Sequence, residues 1–200
     1  MFLAFYNKEH VGDTLLLLAK ETNHSVETQS HGQITRIYDK QTQETLAYNI
    51  FHISEHLHLD KTGFVTLSCE QVDVVNRLLQ ESGFMPITVD NSPKFVIGHV
   101  DSCIEHPDSD HLHITQVSIG EDKPLQIVCG AANVNQGQLV VVAKIGAVMP
   151  SGLIIWPGEL RGVESCGMLC SAKELALENY PSQKGILVLE QGQVGQSFFQ

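Results

Sequence analysis

Residues 127–171 read IVCGAANVNQGQLVVVAKIGAVMPSGLIIWPGELRGVESCGMLCS, and this stretch decides the fold of the chain. Short runs of aliphatic residues alternate in it with glycine-containing turns, a pattern typical of short strands in a small β structure. The expected strand Leu139–Ile145 begins with five consecutive apolar residues and carries its one charge, Lys144, near its end, which indicates a buried strand. The stretch ends in a particular tail, Leu160–Ser171, which a plain sandwich or barrel would not require.

Similar runs on either side of Leu139–Ile145 predict a five-stranded OB-type barrel. The expected strands are Phe95–Ile104, His111–Ile119, Leu125–Cys129, Leu139–Ile145 and Leu153–Trp156. Gly98 is expected to let the first strand bend sharply. The apolar phase slips across Thr115–Gln116, which predicts a β-bulge in the second strand. Residues 159–188 are expected to form an appended segment that closes one end, with a helical turn at Lys173–Leu177.

The first half of the chain predicts a small α+β domain. Strand-forming residues in Ile34–Ile37 and Thr45–Ile53 flank a polar interval, which suggests a hairpin without an Asn-Gly or Asp-Gly turn. One helix is clear, because Ser68 and Gln71 have the spacing of a capping box and apolar residues follow at helical intervals. Gly83 suits the position just after the end of that helix.

The domain boundary is expected near residue 90. Pro86 and Pro93 bracket the turn-forming residues Asp90, Asn91 and Ser92. The chain is therefore interpreted as two domains, an α+β domain of unknown role at residues 1–89 and an OB-fold domain at residues 90–200.

The composition argues against a membrane protein and against a secreted, disulfide-linked protein. The sequence shows no apolar run of the roughly 18 residues that a membrane span needs, and it does not open with a secretory signal. The five scattered cysteines argue against a secreted disulfide framework and favour the reducing cytoplasm. The formal net charge is −11, with six basic and twelve acidic residues in 1–93, and six and eleven in 94–200. Neither half is basic, so any nucleic-acid contact must come from a local patch.

Catalytic and metal-binding motifs are weak. Cys166 and Cys170 have no second cysteine pair, and Cys129 has no identifiable base to activate it. His52 and His56 have the spacing of a helical metal-binding pair, but no third ligand is placed convincingly. We therefore expect no catalytic residue, no cofactor and no metal site.

Two motifs carry a resemblance to a known family: the turn HPDSDHL at residues 106–112 and the tail Leu160–Ser171. Together they resemble the EMAP/Trbp-type tRNA-binding domain, over Phe95 to about Glu190. That domain also occurs near the N-terminus of bacterial phenylalanyl-tRNA synthetase β chains. The whole chain looks like the stand-alone bacterial proteins of the YtpR type, although no chemical motif marks its first half.

The resemblance implies non-catalytic binding of tRNA or another structured RNA. It places Ser165, Gly167 and Met168 on the RNA-facing surface and implies a contact near Asn133. RNA recognition also needs cations, hydrogen-bond donors and flat apolar groups. The candidate RNA-binding residues are His111 and His113 on one face of the second strand, Asn133, Lys144, Arg161, Ser165, Met168, Ser171 and Lys173.

An alternative reading of the same domain stays open. The family often has lysine where His111 stands, and lysines where Ile154, Ile155 and Trp156 stand, so this chain offers fewer cations for phosphate. The domain is then a protein–protein interaction or dimerisation module whose barrel has lost its RNA surface, and a homodimer is compatible with either reading. Three candidates also have a purely structural interpretation: Met168, with Leu169, plugs the barrel end, Ser165 is a turn or cap residue, and Arg161 pairs with Glu159 or Glu164.

Overall fold

A computed structural model of the chain describes residues 1–178 and 184–199. Its backbone contacts separate two compact units, Met1–Ser92 and Pro93–Gln200. Both units are mostly β, and the described residues contain one α-helix. No helix in the described part of the chain has the length and apolar character that crossing a membrane requires.

The first unit is a six-stranded antiparallel sheet with one helix against it. The strands are β1 (Leu3–Tyr6), β2 (Thr14–Leu18), β3 (Val26–His31), β4 (Ile34–Asp39), β5 (Thr45–Phe51) and β6 (Gly63–Val65), and the helix α1 is Cys69–Glu81. The order across the sheet is β3-β4-β5-β2-β1-β6. Leu15, Leu17 and Ile50 alternate inward from the sheet and share one core with Val75 and Leu79 of α1.

Local sequence rules account for the helix. The Ser68 hydroxyl accepts from the Gln71 N–H, and the Gln71 side chain accepts from the Ser68 N–H, so the predicted capping box is confirmed. Gly83 follows the helix with a φ of 75°, as a left-handed position after a helix end requires. The helical content of the predicted α+β domain is this one helix, and the unit is better described as mostly β.

The predicted hairpin is confirmed as β4 and β5, and Asp39 organises its turn. The Asp39 carboxylate accepts from the Thr22 hydroxyl at 2.6 Å and from the N–H groups of Gln41 and Thr42 at 2.8 and 3.0 Å. These hydrogen bonds hold the pKa of the buried Asp39 carboxyl well below its usual range. A side-chain acceptor thus substitutes for the absent Asn-Gly turn.

The second unit contains a nearly closed, barrel-like sheet. Its strands are β7 (Phe95–Glu105), β8 (His113–Ser118), β9 (Leu125–Cys129), β10 (Leu139–Lys144), β11 (Gly158–Leu160), β12 (Val163–Ser165), β13 (Gly167–Leu169) and β14 (Val188–Leu189). The main sheet has the order β13-β10-β7-β8-β9, with β14 also on β10, and β11 and β12 form a separate hairpin. All of these pairings are antiparallel.

Valines and isoleucines fill the barrel so closely that Gly98 has no room for a side chain. A β carbon added at Gly98 would lie 2.7 Å from side-chain atoms of Val117 and of Val142. The glycine therefore serves close packing inside the barrel, in addition to any bending of β7. Val134, in the loop between β9 and β10, is buried in the same core.

Two details of the predicted barrel are wrong. Leu153–Trp156 is not a strand, because it makes only an isolated bridge from Ile154 to Val148, and β13 takes the fifth place beside β10. The bulge does not lie in β8, where Thr115 and Val117 both face inward. The register instead shifts on β7, where Asp101 is the extra residue. The inward Thr115 is accommodated because its hydroxyl donates to the Ile127 carbonyl at 2.8 Å.

The segment 163–169 closes the gap between β9 and β10. On the β9 side, the buried Ser165 hydroxyl accepts from the Val128 N–H at 3.1 Å, and the Cys166 N–H donates to the Gln126 carbonyl at 2.8 Å. On the β10 side, Gly167–Leu169 forms an antiparallel ladder with residues 142–144. Both free edges of the sheet are thereby satisfied, which is how a barrel avoids exposed strand edges.

We expect Ser165→Ala to destabilise the second unit. Removing the hydroxyl leaves the buried Val128 N–H without its acceptor, which typically costs about 1–3 kcal/mol. Thermal and urea unfolding of the full chain should show a less stable transition. Ser102→Ala is the matched control, because the Ser102 hydroxyl makes no hydrogen bond within the described residues. Equal stability of the two variants would contradict the closing role of Ser165.

We also predict that the two units fold independently, as the turn-forming residues near position 90 suggest. Residues 93–200 expressed alone should show a cooperative melt and dispersed amide signals that overlay on those of the full chain. An unfolded fragment beside a folded full chain would contradict the two-domain interpretation.

Candidate nucleic-acid interface

Most of the sequence-predicted RNA-binding residues meet at one end of the barrel, which we call the loop end. It lies where β7 and β9 finish and β8 begins, and its residues are 105–113, 129–136, 158–164, 168–174 and 184–186. Gly130 joins two parts of this end, since a β carbon added to it would lie 3.3 Å from Cδ2 of Leu112. The sequence motif at 106–112 and the tail at 160–171 are therefore brought together by the fold.

His106 fastens the β11–β12 hairpin to the loop after β7. Its Nδ1 accepts from the Asp108 N–H at 3.1 Å, so the other nitrogen, Nε2, donates to the Leu160 carbonyl at 3.2 Å. His106 is 3% exposed. Arg161 also links the hairpin to this loop, because its guanidinium donates to the Asp108 carbonyl at 2.8 Å. Sequence reasoning missed His106 as a positioning residue, because its partner lies 54 residues away.

The two candidate histidines of β8 occupy different environments. His111 precedes the strand, is exposed, and its Nδ1 lies 2.9 Å from an Asp110 carboxylate oxygen. That hydrogen bond lowers the pKa of the Asp110 carboxyl. His113 begins the strand and is half-buried, and its Nδ1 has no hydrogen-bond partner among the described residues. The second strand thus begins at His113, two residues later than predicted, and His111 lies in the preceding loop.

Met168 and Ser171 line a cavity of about 320 Å³ at the loop end. Its described walls are Val128, Cys129, Gly130, Ala131, Met168, Leu169, Ser171, Glu174, Gly185 and Ile186. Asn133 shapes one wall, because its side-chain amide accepts from the Ile186 N–H and donates to the Ile186 carbonyl, both at 2.9 Å. Two of the sequence-predicted residues thus line one concave site, and a third, Asn133, holds one of its walls in place.

The turn at 171–177 forms the rim of this cavity. The Ser171 hydroxyl accepts from the Glu174 N–H at 3.2 Å, and a Glu174 carboxylate oxygen accepts from the Ser171 N–H at 2.7 Å, which is a reciprocal cap. The Leu175 N–H donates to the Ser171 carbonyl, so the predicted helical turn is present as a hydrogen-bonded turn. Lys173 is exposed on this turn.

Two further candidates lie outside this arrangement. Ser165 is 5% exposed and is engaged in closing the barrel, so its hydroxyl does not face solvent. Lys144 stands at the other end of the barrel, where its ammonium group contacts a Glu121 carboxylate oxygen at 2.6 Å. Glu121 lies in the β8–β9 turn, opposite the loop end.

The cysteines of this unit are poor nucleophiles. Burial raises the pKa of the Cys129 thiol, and it raises that of Cys170 to about 12, so both thiols stay protonated at neutral pH. The described residues contain no group of three or more metal-ligating side chains, the region of His52 and His56 included.

Acidic side chains outnumber basic ones at the loop end. The basic residues there are Arg161, Lys173 and Lys184, and the acidic residues are Glu105, Asp108, Asp110, Glu159, Glu164 and Glu174. The locally basic surface that would suit a phosphate backbone is therefore absent from the described part of this end. Any contact with RNA at this end would therefore depend on a few positioned groups.

Comparison with known proteins assigns a family to each unit. Residues 95–196 match the family described as "Putative tRNA binding domain". Residues 21–90 match a family described as a domain of unknown function, DUF4479. The first of these families is a binding domain and not an enzyme family.

Two relatives in sequence and one solved structure show how far the similarity extends. The chain is 53% identical over 189 residues to "Putative tRNA-binding protein YtpR" of Bacillus subtilis (strain 168), covering 94% of each protein. It is 54% identical over 89 residues to the phenylalanine–tRNA ligase β subunit of Oceanobacillus iheyensis, and covers only 11% of that protein. A solved structure, the MetRS-related protein from Pyrococcus horikoshii, matches half of the chain at 20% identity with a TM-score of 0.37. The chain belongs to the family of tRNA-binding-domain proteins, which its residues 95–196 match and which includes the Bacillus subtilis relative over 94% of the chain.

Proposed function

We propose that the second unit is an OB-type barrel that binds tRNA or another structured RNA without catalysing a reaction. The observation that carries this proposal is one cavity that Met168 and Ser171 line and whose Ile186 wall Asn133 holds by two hydrogen bonds. Arg161 and His111 lie at the same end of the barrel. Barrels of this type bind oligonucleotides on the second and third strands and the adjoining loops, which here are β8, β9 and the loop end. The name of the Bacillus subtilis relative points to the same class of ligand.

The binding surface that we propose differs from the sequence-based set in two positions. Ser165 acts through barrel closure, since its hydroxyl is enclosed between Val128 and Gly167. Lys144 contributes little charge, because Glu121 neutralises it and it lies opposite the loop end. The remaining candidates supply one arginine, one exposed lysine, two histidines and the cavity.

Arg161 is the cation best placed to contact a phosphate. It sits at the tip of the β11–β12 hairpin with a φ of 47°, and one nitrogen of its guanidinium is held by the Asp108 carbonyl. The planar guanidinium keeps further N–H donors for a bidentate contact that lysine does not reproduce. The cytoplasm fits such a function, and the five cysteines are all free, as a reducing compartment favours.

One observation favours the alternative function of protein interaction. Ile104 is 60% exposed and Leu160 is 40% exposed, both at the loop end or at its margin. Exposed apolar residues in one region suit a protein partner or a second copy of the chain. This alternative predicts self-association or partner binding without affinity for RNA.

Salt dependence separates the two functions. With about three phosphate contacts, the slope of log affinity for tRNA against log salt should be roughly −2 to −3. Arg161→Ala should make that slope shallower by about 0.7–0.9 and weaken different RNAs alike, since a phosphate contact carries no sequence information. Filter binding of tRNA over a salt series measures both quantities.

Lys123→Ala is the matched control for charge. Lys123 is exposed in the β8–β9 turn, away from the loop end, and its removal changes the net charge equally. It should leave the slope unchanged. Absence of tRNA binding by the folded wild type at low salt would refute the RNA function, and concentration-dependent sedimentation would then favour the alternative.

A further inference from the structure

The residues that line the cavity at the loop end are not those that bind a phosphate group. Its described walls carry no basic side chain, and five of them are aliphatic or thioether groups, Val128, Ala131, Met168, Leu169 and Ile186. The Cys129 thiol adds a further neutral wall. A phosphate placed here would lose hydration without gaining a counter-charge. The cavity therefore suits a group without negative charge that combines apolar surface with hydrogen-bonding atoms.

The size of the cavity restricts that group further. About 320 Å³ lies at the lower end of the range for small-ligand sites, roughly 300–1,000 Å³. Met168 is half-buried at the wall, and a thioether makes favourable contacts with aromatic rings. One flat ring system fits these dimensions and contacts.

Glu174 is the residue of the cavity that would select between ligands by their hydrogen-bonding groups. Its Oε2 accepts from both the N–H and the hydroxyl of Ser171, at 2.7 Å each, which uses both lone pairs of that oxygen. Its Oε1 accepts no hydrogen bond within the described residues, and Glu174 is one of the residues that line the cavity. A ligand in the cavity therefore meets a charged acceptor and should present a donor to it.

The cavity is shaped before any ligand arrives. Asn133 clamps the backbone of Ile186 through two hydrogen bonds. Gly185 leaves room for this clamp, since a β carbon there would lie 2.0 Å from Oδ1 of Asn133. Ser171 and Glu174 fix the opposite rim through their reciprocal cap. A preformed site loses less entropy on binding.

We propose that this cavity holds one unstacked nucleobase of the bound RNA, and that it prefers a base with an exocyclic amino group over uracil. The proposal rests on the RNA binding proposed above and specifies which part of the RNA the cavity binds. An exocyclic amino group donates to Oε1 of Glu174. The one Watson–Crick donor of uracil, its N3–H, lies between two carbonyl oxygens that the carboxylate repels, so uracil makes the weaker contact. Single-stranded RNA is commonly read through bases splayed out in this way.

Methionine methyl signals provide a direct test with the full chain. The chain has four methionines, so ¹³C-methyl labelling gives a simple spectrum, and Met168→Leu assigns the relevant signal. Titration with the trinucleotide CCC should move the Met168 signal through the ring current of a cytosine. Met149, which is 3% exposed, should not respond. UUU, with bases of the same size, should bind at least about fivefold more weakly.

Three variants sharpen the test. Ala131→Leu fills the cavity and should weaken CCC binding by about fivefold or more, the effect of losing one stacked base. In Glu174→Gln, the amide oxygen is retained by the Ser171 donors and an NH₂ group replaces Oε1, so the preference for CCC over UUU should disappear or reverse. Glu178→Gln is the matched control, because it removes the same charge on a residue that does not line the cavity. It should keep the preference.

The outcomes separate this proposal from the RNA function itself. A Met168 signal unmoved by CCC, equal affinities of the wild type for CCC and UUU, or a Glu174→Gln variant with the wild-type preference would overturn the base site. Filter binding of tRNA by the wild type tests the proposed function independently. If tRNA binds but the Met168 signal does not respond to CCC, the base site is wrong and the RNA function stands. If CCC moves the Met168 signal but tRNA does not bind, the base site stands and tRNA binding fails.

Discussion

The hydrogen bonds that hold segment 163–169 between β9 and β10 are the constraint on which the second unit depends. A four-strand run from β10 through β7 and β8 to β9 leaves two edges, and each edge exposes unpaired backbone groups. One short segment satisfies both, through Ser165 and Cys166 on one side and the ladder of β13 on the other. Gly167 permits this close approach, because a β carbon there would lie 2.9 Å from the Ala143 carbonyl oxygen.

Closure of the barrel and formation of the cavity are consequences of the same segment. Once Ser165 is fixed on β9 and Leu169 on β10, Met168 is placed at the cavity wall and the chain enters the Ser171 turn. Loss of the Ser165 hydroxyl is therefore expected to disturb the cavity, although that hydroxyl does not itself line it. A sequence motif that looks like a binding surface can thus combine structural residues with ligand-facing ones, and burial distinguishes them.

Features governed by neighbouring residues could be read from the sequence. The capping box of Ser68 and Gln71 and the β4–β5 hairpin follow from residues a few positions apart, and both were predicted correctly. The fifth barrel strand was assigned wrongly because β13 has three residues and is a strand only through its pairing with β10. Leu153–Trp156 had a better strand composition, but no strand edge was available to it apart from a single bridge.

Side-chain roles escaped prediction where they depend on distant partners. The motif at 106–112 indicated a turn, but not that His106 bonds to Leu160 at a separation of 54 residues. By residue type, Lys144 is a reasonable phosphate ligand. In the folded protein its charge is neutralised by Glu121, which lies in the β8–β9 turn. The cavity could not be predicted from the sequence either, because its walls come from β9, β13, the Ser171 turn and the segment at 185–186. Residue type indicates capability, and tertiary contacts decide whether that capability is free to act.

The acidic character of the loop end constrains how such a protein can hold RNA. Each phosphate contact releases counterions and strengthens binding at low salt. The loop end has only three basic residues beside six acidic ones in its described part, which limits the number of such contacts. Repulsion from the same acids opposes non-specific binding to any polyanion. Affinity must then come from contacts that are insensitive to net charge, such as base stacking and hydrogen bonds from base edges. Those contacts need an RNA that presents an unpaired base at the right place, so a surplus of acid favours selectivity for RNA shape over general affinity for nucleic acid.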